Sequence, residues 1–239
     1  MNIALLTAGG TGNRMGQDIP KQFMCIDNQP VIIYTLQAFQ HHPEIDSIAV
    51  VCLSGWDVIL QAYANQYNIT KLKWIFEGGS TNQESIYNGI CGLQKAGCSE
   101  SDVVLVHDGV RPLVDPRIIT ENIAICKEYG YAVTGMTCKE AIMELVGDTV
   151  VNIAIPRERL VRTQTPHTYP LGTLLKAHKV ALEKGITNTV ASCTLIALTG
   201  IRSQHIVEGT EKNGLKLTRP KDVELFKAMI HTDPEPWMK

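Results

Sequence analysis

The sequence predicts an α/β fold: a mostly parallel sheet covered by helices on both faces. Strand-like and helix-like segments alternate from one end of the chain to the other, the pattern of repeated strand–helix units. The opening apolar run, Ile3 to Leu6, empties directly into a glycine-rich loop, as a first strand does before its crossover helix. At 239 residues the chain suffices for one large domain with a substantial core.

In chain order the expected strands are Ile3–Leu6, Ile48–Leu53, Leu72–Phe76, Val103–His107 and Ala132–Thr137. Helical patterns separate them at Pro30–Phe39, Trp56–Gln66, Gln83–Lys95 and Arg117–Glu128. Pro30 suits a helix start, where its fixed φ costs nothing and its missing N–H is not needed. Further helices are expected near Pro170–Lys184, Val190–Leu198 and Pro220–Ile230. One stretch departs from the alternation. Between Cys138 and Gln164, two β-like runs, Ala141–Val146 and Thr149–Ile155, flank Gly147-Asp148, a turn signal for a hairpin. The organisation read from this is a main domain of residues 1–137 and 165–239 with a β-arm at 138–164. An arm of this kind has edges that a second subunit could cover, giving a homodimer; a hairpin folded onto its own domain is the alternative.

Bulk composition excludes several function classes. With 44% hydrophobic and 19% charged residues the chain is an ordinary globular protein, and a net charge of −2 lacks the basic surplus of a nucleic-acid binder. No apolar run approaches bilayer-spanning length, and the N-terminus shows no secretory pattern. The seven cysteines include no C-x-x-C pair and are odd in number. They read as buried, reduced thiols of a cytoplasmic protein. The histidines are scattered, and His41-His42 reads as a helix end.

The chemistry is expected first in Thr7-Ala8-Gly9-Gly10-Thr11-Gly12-Asn13-Arg14-Met15-Gly16, followed by Pro20-Lys21-Gln22-Phe23. Glycines let the backbone turn tightly and approach phosphate oxygens through its N–H groups. Arg14 and Lys21 add fixed positive charge beside that cradle. The G-x-x-x-x-G-K-[ST] phosphate loop does not occur, and the dinucleotide fingerprint is missed because Gly16 falls one residue late. The second strand also ends in Ser54-Gly55-Trp56 and not in a ribose-binding acid. Farther on, Val103–His107 runs into Asp108-Gly109-Val110-Arg111-Pro112. An acid at the carboxyl end of a central parallel strand faces the ligand crevice of open sheets. There Asp108 is placed to hold Mg²⁺ against phosphate oxygens, with Arg111 clamping a second phosphate. The competing reading is an Asp capping its turn with Arg111 as surface partner. Gly78-Gly79 allows close backbone approach to a base, or forms a plain strand-to-helix loop capped by Ser80 or Thr81.

Taken together, Gly9-Gly10-x-Gly12-x-Arg14-Met15-Gly16, Pro20-Lys21-Gln22-Phe23, Gly78-Gly79, His107-Asp108-x-x-Arg111-Pro112, Thr165-Pro166 and Lys216-Leu217-Thr218-Arg219-Pro220 resemble the cytidylyltransferases that act on sugar-alcohol phosphates. The two familiar branches make CDP-methylerythritol for isoprenoid synthesis and CDP-ribitol for wall or capsule polymers. The resemblance runs from residue 2 to about 230. It implies a Rossmann-like fold of the nucleotidyltransferase type, with CTP and a small phosphorylated polyol as substrates and Mg²⁺ as cofactor. Arg14, Lys21 and Lys216 would stabilise charge at the α-phosphorus, and Asp108 would carry the metal. Ala8, Gly9, Gly10, Gly12, Gly78, Gly79 and Ser85 would hold the nucleotide. Arg111, Thr165 and, from the partner's arm, Arg157 would receive the acceptor.

Departures from the family pattern concentrate on the acceptor side. Asn82 stands where an Arg is usual, Glu140-Ala141 replaces Asp-Thr, and Val190-Ala191 replaces Thr-Asp. One residue is inserted at Glu211-Lys212-Asn213-Gly214. A site built to hydrogen-bond a polyol discriminates through such contacts, so these changes suggest an acceptor other than methylerythritol phosphate. Gly9-Gly10 and Gln164-Thr165-Pro166 lean toward the ribitol branch. A non-catalytic CTP-binding regulator, a transferase with another base and a nicotinamide oxidoreductase stand as alternatives.

Overall fold

The structure, a computed structural model, describes residues 1–12, 16, 19–200 and 203–232. In chain order the strands are β1 (Asn2–Ala8), β2 (Cys25–Ile26), β3 (Gln29–Pro30), β4 (Ser47–Cys52), β5 (Leu72–Glu77), β6 (Val103–Asp108), β7 (Ala132–Thr137), β8 (Ile142–Val146), β9 (Val150–Ile155), β10 (Val161–Pro170) and β11 (His205–Glu208). The helices are α1 (Val31–Gln40), α2 (Asp57–Gln66), α3 (Asn82–Lys95), α4 (Pro116–Tyr129), α5 (Leu171–Glu183), α6 (Ser192–Leu198), α7 (Glu211–Gly214) and α8 (Pro220–His231).

Seven strands form one sheet in the order β11-β7-β10-β6-β1-β4-β5. Every pairing is parallel except those of β10, which runs antiparallel to both β6 and β7. Alternation along β1 distributes the core. Ala4 and Leu6 join Leu36 and Phe39 of α1, Leu60 of α2 and Ile118 of α4 on one face. Ile3 and Leu5 join Ile86 and Ile90 of α3, Leu174 of α5 and Ile196 of α6 on the other. Both faces are therefore covered, and β4 is buried along its whole length. Helix starts carry local signals. Thr81 Oγ1 accepts from the Glu84 N–H to cap α3, and Asp115 caps α4 ahead of Pro116.

All five expected strands are present. β10 and β11 were not anticipated, for a physical reason. Pro166 and Pro170 cannot donate to a ladder and argue against a strand. β10 accommodates Pro166 where its register against β7 shifts between Thr163 and His167. β11 is a four-residue edge strand, too short to show a period. Residues 161–163, inside the segment assigned to the arm from sequence, pair with β7 in the main sheet.

β8 and β9 form a separate two-stranded sheet, with Gly147 in the left-handed region at φ 72° in its turn. Met143, Leu145, Val146, Val150, Val151 and Ile153 of this hairpin are all exposed. Among the described residues no helix is long and apolar enough to cross a membrane.

Candidate active site

β1 sits where the sheet changes direction, with β4 on one side and β6 on the other. Ligand crevices in open α/β sheets form at the carboxyl ends of strands at such a switch point. The register puts Thr7 opposite Asp108 and Ala8 opposite Cys52, so the β1 and β6 loops open side by side.

Two adjoining clefts occupy this end, of about 610 Å³ and 590 Å³. The first is lined by Ala8, Gly9 and Gly10, by Lys21 and Gln22, by residues 79–82 and Ser85, and by Asp108 and Lys216. The second is lined by Arg111, Thr163 to Thr165, His167 and residues 190–192. Thr7, Asn82, Asp108 and Lys216 belong to both. Asp108 is thus the wall between them.

Glycine serves the first cleft by close approach. A Cβ on Gly9 would stand 3.2 Å from Ser85 Oγ, and one on Gly78 would stand 3.1 Å from the Cys52 carbonyl and 3.2 Å from Gly9 Cα. The two loops therefore touch backbone to backbone, with Ser85 Oγ accepting from the Gly79 N–H at 3.0 Å. Gly12 takes φ +76° against the Lys21 backbone, which brings the loop back beside Lys21. Gly12 and Gly78 shape the cleft without lining it. Gln22 is a residue that sequence reasoning missed. Its buried amide donates to the carbonyls of Ala8 (2.8 Å) and Gly10 (2.9 Å), clamping the glycine loop. The Pro-Lys-Gln-Phe run was visible, but the Gln target was not. Phe23 anchors the same turn by stacking on Trp56 with centroids 4.6 Å apart.

Asp108 carries two ion pairs, from Arg111 Nε at 2.8 Å and Lys216 Nζ at 2.9 Å. Burial works against its charge, but the two cations outweigh burial and hold its carboxyl well below the usual carboxylate range. The sequence alternatives for Asp108 and Arg111 merge here. They do pair, yet each side chain is only 13% exposed, so the pair is part of the cleft and not a surface bridge. Lys216 reaches Asp108 because its neighbours are fixed. Leu215 and Leu217 are buried beside Val110 and Phe226, and the Leu217 N–H donates to the Val110 carbonyl.

The inserted stretch Glu211–Gly214 is the short helix α7, capped by Thr210. Its Gly214 carbonyl accepts from Arg111 Nη1. Thr165 meets the site through Oγ1, which accepts from the Asp108 N–H at 3.3 Å. Behind Asp108, burial lowers His107 and His167 to about 4, so both are neutral near pH 7. Val190 is 85% exposed on the rim of the second cleft. Arg157 stands at the base of the arm, donating to the Lys139 carbonyl, and lines neither cleft of its own chain. Arg14 lies outside the described residues.

A parallel α/β crevice with a glycine floor, two joined clefts and cations gathered on one buried carboxylate is that of a nucleotidyltransferase. Residues 2–232 match the family described as "IspD: 2-C-methyl-D-erythritol 4-phosphate cytidylyltransferase", and the chain belongs to this family. It is 39% identical to a ribitol-5-phosphate cytidylyltransferase of Lacticaseibacillus paracasei, over 96% of this chain and 98% of that one. It is 33% identical to a 2-C-methyl-D-erythritol 4-phosphate cytidylyltransferase of Syntrophotalea carbinolica, over 95% of each. The fold matches the 4-diphosphocytidyl-2C-methyl-D-erythritol synthase of Anaerococcus prevotii with a TM-score of 0.81 at 20% identity, covering 97% of this chain and 99% of that one.

Proposed function

We propose that this chain transfers CMP from CTP to the phosphate of a five-carbon polyol of the ribitol 5-phosphate type, giving a CDP-polyol and pyrophosphate. One observation carries the reading. Lys21, Asp108 and Lys216 come from distant parts of the chain to one crevice, and Asp108 and Lys216 face both of its clefts. The first cleft would take CTP, its base held by the Gly78–Gly79 loop and Ser85 and its phosphates beside Lys21. The second would take the acceptor phosphate near Arg111 and Thr165. A phosphate oxygen of the acceptor then attacks the α-phosphorus while pyrophosphate leaves, and both sites share the Lys216 charge. Such transfer asks the protein for alignment and charge stabilisation more than covalent chemistry.

The ribitol assignment rests on the relatives of that name at 36–39% identity against 32–35% for those named for methylerythritol phosphate. Ala141 and Val190, which remove acceptor-side hydroxyls, support it. Incubation with CTP, Mg²⁺ and either ribitol 5-phosphate or 2-C-methyl-D-erythritol 4-phosphate, read by pyrophosphate release and ³¹P NMR, tests it. Preference for the branched acceptor would refute the ribitol assignment; CTP binding without turnover on any polyol phosphate would refute the activity.

Asp108 fits a Mg²⁺ site as a protein carboxylate ligand, because it is a hard oxygen donor kept ionised at the junction of the clefts. Among the described residues no group of three His, Cys, Asp or Glu gathers. Phosphate oxygens and water would complete the coordination, the usual arrangement for this ion. Bound there, the metal would neutralise phosphate charge, and Arg111 and Lys216 would turn from the carboxylate to the substrates. We also assign the β8–β9 arm to homodimerisation, since a second copy would cover its exposed apolar side chains and strand edges. Arg157 would then be offered to the partner's second cleft. The seven free thiols suit a reducing, cytoplasmic setting.

A further inference from the structure

We infer that Gln164 and Asn213 are positioning residues that set the angle at which Arg111 and Lys216 meet Asp108. The inference rests on the reading of this site as the place of CMP transfer, and extends it to Asn213, which lines neither cleft, and to Gln164, which borders the second.

Gln164 is 2% exposed and Asn213 1%. Their amides form one bonded unit. Asn213 Nδ2 donates to Gln164 Oε1 at 2.9 Å and to the Thr165 carbonyl at 3.0 Å. Gln164 Nε2 donates to the Thr210 carbonyl at 3.0 Å. The 209–214 loop is wrapped closely around this unit. A Cβ on Gly209 would fall 2.4 Å from Gln164 Oε1, and one on Gly214 2.7 Å from Gln164 Nε2. Gly214 has no positive φ, so space beside Gln164 is what favours glycine there.

What the loop delivers is functional. Gly214 gives its carbonyl to Arg111, and two residues later Lys216 pairs with Asp108. Thr165, held from behind by Asn213, accepts from the Asp108 backbone. The two amides therefore fix Asp108 and both of its cations in one frame. Leu215 and Leu217 anchor the segment behind Lys216, and the amide pair fixes the turn ahead of it, where the chain carries an inserted residue.

The test uses the full chain with CTP, Mg²⁺ and ribitol 5-phosphate. Asn213→Ala is expected to lower kcat about 100-fold, the scale of a misplacement near 1 Å, with little change in the KM for CTP. In a Lys216→Ala background the same change should cost clearly less than in the unaltered protein, because groups acting through one another are non-additive. Additive losses would overturn the inference. Gly214→Ala supplies a second variant should Asn213→Ala unfold. Its added methyl crowds Gln164 Nε2 and should lower kcat with little change in the KM for CTP; an unchanged kcat would count against the proposal. Independently of turnover, the Arg111 Nε–H resonance should be protected from exchange in the unaltered protein and lose protection in Asn213→Ala. Equal protection in both would overturn the inference even if no acceptor were turned over, whereas an inactive unaltered protein with the protection pattern intact would refute only the parent activity.

Discussion

Replacing Lys216 with alanine should separate catalysis from stability. The ammonium lies 2.9 Å from Asp108 and lines both clefts, so its charge is available to phosphate on either side. Losing a preorganised charge at a reacting centre costs about 3–4 kcal/mol, which is roughly 2–3 orders of magnitude in kcat. Stability responds differently. Lys216 is 40% exposed, and a pair open to solvent contributes about 0–1 kcal/mol. Asp108 also keeps Arg111, so no buried carboxylate is abandoned. Leu215 and Leu217 hold the segment without the lysine. The expected result is a kcat lowered at least about 100-fold beside a Tm lowered by no more than about 4 °C. Steady-state pyrophosphate release and thermal unfolding on the same preparation supply both numbers. A kcat within about threefold of the unaltered protein, or a loss of activity that tracks unfolding, would refute the argument.

Three further outcomes follow from the same geometry. Gln22→Leu removes the amide donor that ties the Ala8 and Gly10 carbonyls together; Ala8 keeps the Leu53 N–H and Gly10 is exposed, so at about 0.5–1.5 kcal/mol for each lost bond urea midpoints should fall and the KM for CTP should rise. Acid should destabilise the fold well before carboxylates titrate. His107, His167 and His178 are lowered by burial to about 4, so below the ordinary histidine value of about 6.5 the unfolded chain binds protons that the folded chain refuses. With all three contributing, stability should fall by up to ~4 kcal/mol per pH unit between those values, measurable by denaturant titration at pH 7.5, 6.5 and 5.5; a flat profile would contradict it. Asp108, depressed already, should contribute no loss in that window. Charging the arm with Leu145→Asp and Val151→Asp should convert a dimer to monomers by light scattering, and should also lower acceptor turnover if Arg157 acts in trans.

Half of this site was legible before any coordinates, and the division has a physical cause. The glycine loop and Asp108 could be read because each is a local signal: glycines after a strand, and an acid at a strand's carboxyl end. Arg111 and Lys216 were individually visible, but their meeting on one carboxylate joins residues 108 apart in sequence, which no period records. Gln22 looks like any surface glutamine until the carbonyls of residues 8 and 10 curl over it. Asn213 lay inside an insertion that seemed only to disturb the neighbourhood of Lys216. It anchors that neighbourhood instead. β10 was hidden because proline argues against strands, and only an irregular register next to β7 lets Pro166 stay in the sheet.

The distribution of charge ties these parts together. The chain as a whole is net −2, yet among the described residues Lys21, Arg111 and Lys216 gather at the crevice with Asp108. Under the proposed function two polyanionic substrates would lie side by side there, and nearby cations would offset their mutual repulsion. Without substrate, two of those cations are held on Asp108, which spares them from facing one another uncompensated in a partly dry cleft. On the same reading arriving phosphates would take the cations over, and the released carboxylate would be free for a metal. On the proposed reading Asp108 would have a role in both states: it would store the cations at rest and offer an oxygen ligand when loaded. Asp108→Asn should lose the second role outright. It should also abolish the Mg²⁺ dependence of CTP affinity while leaving metal-free CTP binding within about threefold of the unaltered protein. A titration of CTP by calorimetry with and without Mg²⁺ decides it, and an undiminished metal dependence in the variant would place the metal elsewhere.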